Sequence, residues 1–156
     1  MSSEFVHLHN HSDYSLLDGA QRVDQLVNTI DDLNMDSVAL TEHGNMFSVI
    51  PFYNKARESG VKPIIGCEIY VAEGSRFDKK SKADGGWGNN HLILLVQNYF
   101  GYKNLMKLVT FGYLEGFYYR PRIDMDLLQE YNDGLICLSA CLKGEIPEKM
   151  LKGDFE

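Results

Sequence analysis

Short apolar runs alternate with amphipathic stretches along most of this chain, and that rhythm limits its fold more than any other feature. "SVALT" (37–41), "KPIIGCEIYVA" (62–72), "HLILLVQ" (91–97) and "GLICLSA" (134–140) have the length and residue types of buried strands. "FVHLH" (5–9) reads as a shorter strand ahead of them. Between the first two, "RVDQLVNTIDDLNM" (22–35) places Val23, Leu26, Val27, Ile30 and Leu33 on one helical face. Residues 48–58 read as a second helix, because Pro51 is tolerated only in a first turn, and Gly60 ends it. "YKNLMKLVTFGY" (102–113) is a third, with Tyr102, Leu105, Met106, Val109 and Tyr113 on one side. A short helix over 125–131 follows, with Asp124 as its N-cap, and a last helix begins near Ile146.

Strands that alternate with helices and are apolar throughout predict an α/β fold, a parallel sheet covered by helices. Five strands in 156 residues make one domain with a real core. They are too few for an eight-unit barrel, so the front part of an α/β barrel or a smaller open sheet is expected. The rhythm breaks at "EGSRFDKKSKADGGWGNN" (73–90), which reads as a loop insertion and the most mobile part of the chain. Its "KKSK" (79–82) reads as a solvated loop.

The formal charge of −7 argues against a domain that holds nucleic acid through net charge. It does not exclude a nuclease, because bound divalent cations bring local positive charge. Cys67, Cys137 and Cys141 are an odd number, and the first residues lack a basic segment followed by an apolar one. A reducing, cytoplasmic setting with free or metal-bound cysteines is therefore expected. No apolar run approaches ~18 residues, so no membrane span is expected.

In parallel α/β proteins the chemistry gathers at the carboxyl ends of strands. His9 and His11 follow the first strand here, Glu42 and His43 the second, and Cys141 the last; Glu68 lies within the third. An HxH pair alone also arises by chance in a polar segment. His43 also suits a turn or a general base, and Cys141 a small buried apolar site. Glu68 inside an apolar run is more telling, since a carboxylate there needs a partner, a metal or a raised pKa. His91 begins its strand, so either that strand runs the opposite way or its boundary lies elsewhere. Imidazole, carboxylate and thiolate together suit Zn²⁺ best, then Mn²⁺ or Fe²⁺.

"HLHNHSDYSLLDGA", "ALTEHGNMF", "KPIIGCEIYVA", "GYKNLMKLV", "YLEGFYYRPRID" and "LSACLKGEIP" together resemble the PHP (polymerase and histidinol phosphatase) domain found at the N-terminus of bacterial DNA polymerase III alpha subunits. The likeness runs along nearly the whole chain, and the last two segments are specific to the polymerase branch. It implies a distorted barrel of seven βα units, here only its N-terminal part, holding up to three divalent metal ions. The matching ligand positions are His9, His11, Asp18, His43, Glu68, His91 and Cys141. His7 shares a face with His9 and His11 but lies outside the matching pair.

The resemblance implies a metal-dependent 3′–5′ exonuclease that proofreads DNA within a DNA-directed DNA polymerase. The alternatives are an inactive structural platform in the polymerase, or a phosphatase of the same family. The implied partners are DNA, the remaining polymerase domains and other replisome subunits. Two departures stand out. The family usually has Asp where this chain has Glu42, which is therefore expected to support catalysis by His43 from behind the ligands. The family's final Asp-x-His motif lies beyond residue 156, so this chain is expected to leave the site incomplete, to be weakly active or inactive alone, and to self-associate. Arg120 and Arg122 in "FYYRPR" are candidate phosphate contacts, although packing against the rest of a polymerase accounts for them as well.

Overall fold

The sheet is built around one long central strand. The computed structural model describes residues 5–16, 18–79 and 89–154. Its strands are β1 (Ser37–His43), β2 (Lys62–Ala72), β3 (Asn89–Val96), β4 (Arg122–Ile123) and β5 (Leu135–Leu138). The helices are α1 (Val23–Asp32), α2 (Val49–Glu58), α3 (Tyr99–Leu114), α4 (Met125–Glu130) and α5 (Glu145–Lys152). Strand order is β1-β2-β3-β5, and β4 joins β2.

The α/β fold stands, but the expectation of a parallel sheet needs correction. β1 and β4 pair with β2 in parallel, whereas β3 is antiparallel to both β2 and β5. An apolar run carries no sign of its direction, so composition could not reveal the reversal. The reversal resolves His91. The start of β3 lies where the other strands end, and His91 pairs with Tyr70 near the carboxyl end of β2.

The predicted strand at 5–9 also needs correction. Residues 5–11 form no regular strand, although they lie along the free edge of β1. Ala39 N–H donates to His7 O at 2.9 Å and Thr41 N–H to Asn10 O at 2.9 Å. Two residues on β1 thus span three on the N-terminal segment. The extra residue breaks the ladder as a bulge does, and Asn10 repairs it through its side chain, which donates to Ala39 O at 3.1 Å.

Strand alternation divides the side chains between two faces. One face carries Val38 and Leu40 against α1 and α2, with Phe52 and Val27 fully buried between them. Further along the same face, Cys67, Ile69, Val71 and Leu94 pack on Leu105, Leu108 and Leu127 of α3 and α4. The opposite face holds a small core of Ala39, Ile93 and Leu95, and its upper end carries the polar residues described below. α3 begins at Tyr99, earlier than the apolar pattern shows, because Asn98 caps it by accepting from Gly101 N–H at 3.0 Å. Asp124 caps α4 as expected, accepting from Leu127 N–H at 3.1 Å. Within the 73–90 stretch, 73–79 form bends and 89–90 belong to β3; the mobility expected of its middle lies outside the described residues.

Candidate metal centre

Register explains why four histidines meet one carboxylate. His43, the last residue of β1, is the parallel partner of Glu68 on β2. Two residues on, Tyr70 faces the same way and pairs with His91 across the antiparallel β2–β3 ladder. Glu68, 1% exposed, thus lies beside His43 and diagonal to His91. The N-terminal segment on the far edge of β1 brings His9 and His11 over the same spot.

The resulting distances are short. His43 Nδ1 lies 2.7 Å and His91 Nδ1 2.8 Å from Glu68 Oε1. His9 Nε2 is 2.9 Å and His11 Nε2 3.8 Å from Oε2. His43 Nε2 reaches the exposed Asp18 carboxylate at 2.9 Å. Cys141 Sγ stands 3.8 Å from His91 Nδ1, at the rim. His9, His11 and Glu68 each offer a ligand atom within 4.8 Å of the others.

Burial opposes the charge on Glu68, but hydrogen bonds from His43 and His91 outweigh it and hold its carboxyl well below the usual range. The hydrogen bond to Glu68 also raises His43 above an ordinary imidazole, against burial. His11 goes the other way. Burial lowers its pKa, and so does His43, whose ring stacks on it at 3.9 Å. A neutral imidazole has one N–H to give, and His11 Nδ1 is buried with no hydrogen-bond partner. At 3.8 Å its Nε2 is also too far from Glu68 for a hydrogen bond, so His11 converges on the cluster without one to that carboxylate. Such a set of imidazole and carboxylate donors suits a divalent ion of the zinc, manganese or iron type.

Glu42 shares β1 with His43 but points to the opposite face, away from the histidines. It is 1% exposed and accepts from the Ser12 and Ser15 hydroxyls, the Ser48 hydroxyl at 2.9 Å and Ser12 N–H at 3.1 Å. Ser15 Oγ also accepts from His43 N–H at 3.1 Å, so Glu42 supports His43 through Ser15. The serines carried no sequence signal beyond their polarity. Tyr70, another residue the sequence did not single out, packs edge-on against His91 with ring centroids 5.1 Å apart.

Three candidates fall outside the cluster. His7 is exposed and packs its ring on Phe5, 4.8 Å away. Arg122, 3% exposed, is not available to a phosphate, which corrects that expectation. It donates to the carbonyls of Gly116 at 2.9 Å, Arg76 at 3.1 Å and Asp78 at 2.9 Å. Arg120 is exposed and lies over Tyr70, its guanidinium carbon 4.7 Å from the ring centroid.

The PHP domain family model matches residues 7–156. The chain belongs to the PHP domain family. This PHP chain is 54% identical over 154 residues to the DNA polymerase III subunit alpha of Borreliella burgdorferi, covering 99% of the chain and 13% of that protein. It is 51% identical to the Treponema pallidum protein of the same name (96% and 13% covered) and 50% identical to that of Aquifex aeolicus (92% and 13% covered). The PHP chain spans about an eighth of the length of these relatives. Among its described residues no helix is long and apolar enough to cross a membrane.

Proposed function

We propose that this chain is the PHP part of a bacterial DNA polymerase III alpha subunit and that its centre removes nucleotides from 3′ ends of DNA by phosphodiester hydrolysis. The supporting observation is the convergence of His9, His11, His43 and His91 on the buried Glu68 carboxylate. Identity of about one half to polymerase III alpha subunits supports the setting. On this reading the partners are DNA, the remaining domains of the subunit and other replisome proteins, and the site of action is the bacterial cytoplasm.

His9, His11, Asp18, His43, Glu68, His91 and Cys141 would hold up to three divalent ions, zinc fitting the donor set best. When bound, such ions polarise a phosphodiester and make water acidic enough to act as a nucleophile near neutral pH. The chain's own residues shape the rest. Glu68 presents one oxygen toward His43 and His91 and the other toward His9 and His11, so it organises both halves of the centre. Ser15 fixes the backbone of His43, and Glu42 fixes Ser15. Asp18, exposed beyond His43, would close the ligand set at the mouth of the site.

The test is cleavage of 5′-labelled single-stranded and 3′-mispaired DNA by the full-length subunit. Stepwise 3′ shortening that a chelator stops, and that Glu68→Ala or His9→Ala abolishes while primer extension persists, is the expected result. Metal-loaded protein with no cleavage points instead to a structural platform. Cleavage of small phosphate monoesters but not of DNA points to a phosphatase.

A further inference from the structure

β1 ends at His43, and Gly44 N–H then donates to Glu68 O at 2.7 Å as the chain turns away. That departure leaves the edge of β2 free above Glu68, and β4 takes it, pairing Arg122 with Tyr70 and Ile123 with Val71. The segment leading into β4, "YYRP" (118–121), is therefore set down against the rim of the metal centre. Gly44, with φ of +62°, permits the approach. A Cβ there would lie 2.7 Å from Pro121 Cγ and 3.2 Å from Tyr70 Cε2.

The segment is unusually shaped. Tyr119 has a φ of +57°, a left-handed conformation that a bulky residue rarely adopts. Tyr118 N–H bonds back to Arg120 O at 3.1 Å and closes a tight loop. The outcome is that Tyr119, 82% exposed, projects outward. Backbone strain of this sort persists only where surrounding structure enforces it, and it concentrates at functional sites. Arg120, next in sequence, is aimed rather than free. Its guanidinium lies over the Tyr70 ring and bonds the Tyr70 hydroxyl, and that ring in turn packs on His91. Among the described residues no carboxylate forms an ion pair with Arg120, although Asp18 and Glu68 lie in the neighbouring cluster. A tyrosine occupies one side of the guanidinium and leaves the rest of its donor fork without a carboxylate.

We propose that Arg120 and Tyr119 form a clamp for the terminal nucleotide of a DNA strand, Arg120 taking its phosphate and Tyr119 stacking on its base. The guanidinium fork matches two phosphate oxygens. An exposed aromatic ring stacks on any base, so the clamp selects for a nucleotide and not for a sequence. Arg122, by contrast, is buried, holding the 76–78 loop and the turn at Gly116 through their carbonyls and lying over the Tyr118 ring at 5.4 Å. The clamp deepens the exonuclease reading and rests on it for the substrate, but its binding can be measured without turnover.

Two measurements test it. The first is the affinity of chelator-treated protein for thymidine 5′-monophosphate by calorimetry. Arg120→Ala weakens binding by about tenfold or more, Arg120→Lys recovers part of it, and Tyr119→Ala weakens it by about tenfold. The second is KM for 3′ cleavage by the full-length subunit on strands ending in thymidine or in an abasic residue. Arg120→Ala raises KM on both strands. Tyr119→Ala raises it only on the thymidine-ended strand. Neither variant changes metal content or primer extension. Wild-type protein that does not bind the nucleotide, or variants that bind and cleave as wild type does, would overturn the clamp. Nucleotide binding that depends on Arg120 in a protein that cleaves no DNA keeps the clamp and removes the exonuclease reading.

Discussion

Glu68 is the residue on which the site depends, because its two oxygens face both halves of the cluster, one toward His43 and His91 and the other toward His9 and His11. Replacing it with Ala leaves four imidazoles without the buried carboxylate at their centre, and only Asp18 at the edge beside His43. Loss of metal from Glu68→Ala is therefore expected, while His7→Ala, which alters an exposed ring on Phe5, keeps metal affinity at the wild-type level. Elemental analysis of the two variants checks this. Glu42 makes a different prediction. It touches no histidine ring but gathers three serines, one of which holds His43. Glu42→Ala leaves several buried donors unsatisfied. A loss on the order of 3 kcal/mol in stability and a metal affinity weakened roughly 10- to 100-fold are expected from urea unfolding and competitive zinc titration.

At the scale of elements, the bends after β2 are fastened to α3 and α4 by charge. Arg76 Nη1 lies 2.9 Å from Asp124 Oδ1, and Arg76 N–H donates to Asp124 Oδ2 at 3.0 Å. Burial works against the Asp124 charge, but these bonds hold its pKa below the usual carboxylate value. A lowered pKa means that the stabilisation is fully present above the unfolded value near ~4 and fades as pH falls through the folded one. The stability difference between wild type and Asp124→Asn is thus expected to be large at pH 7 and to shrink below pH ~4, as urea midpoints at the two pH values will show. Leu105→Ala, which empties a fully buried position where α3 meets the sheet, should cost about 2–5 kcal/mol by the same method. The elements legible in the sequence were those with a long period or a long apolar run. The helical face from Val23 to Ile30 is one, and β2 is another, matching its predicted ends. What was not legible has physical causes. The direction of β3 is set by tertiary pairing, β4 is two residues long, and the N-terminal segment slips by one residue against β1. The candidate ligands His9, His11, His43, Glu68 and Cys141 could be read from the strand pattern, whereas Asp18 and His91 came only with the resemblance. The burial of Arg122 could not, because an arginine between Pro121 and Ile123 looks the same in a loop and in a carbonyl cage.

At the scale of the molecule, α1 to α4 pack on one face of the sheet, while the opposite face carries a small apolar core and the polar cluster. Glu68 and the five groups gathered about it come from five segments: the N-terminal stretch with His9 and His11, the bend at Asp18, β1 with His43, β2 with Glu68 itself and β3 with His91. A bound ion would therefore tie together parts of the chain that are distant in sequence, and should stabilise the fold by about 2.7 kcal/mol when free metal is a hundred times its Kd. The thermal midpoint should rise with added zinc and fall with chelator in wild type, but not in Glu68→Ala. The central claim is that this convergence is a metal centre. Its most direct test is equilibrium dialysis against micromolar zinc, with metal counted per chain in wild type and in Glu68→Ala shown to be folded by circular dichroism. The account predicts at least one tightly held ion per wild-type chain and none in the variant. A wild-type chain that retains no ion, or a folded Glu68→Ala chain that retains as many, would contradict it.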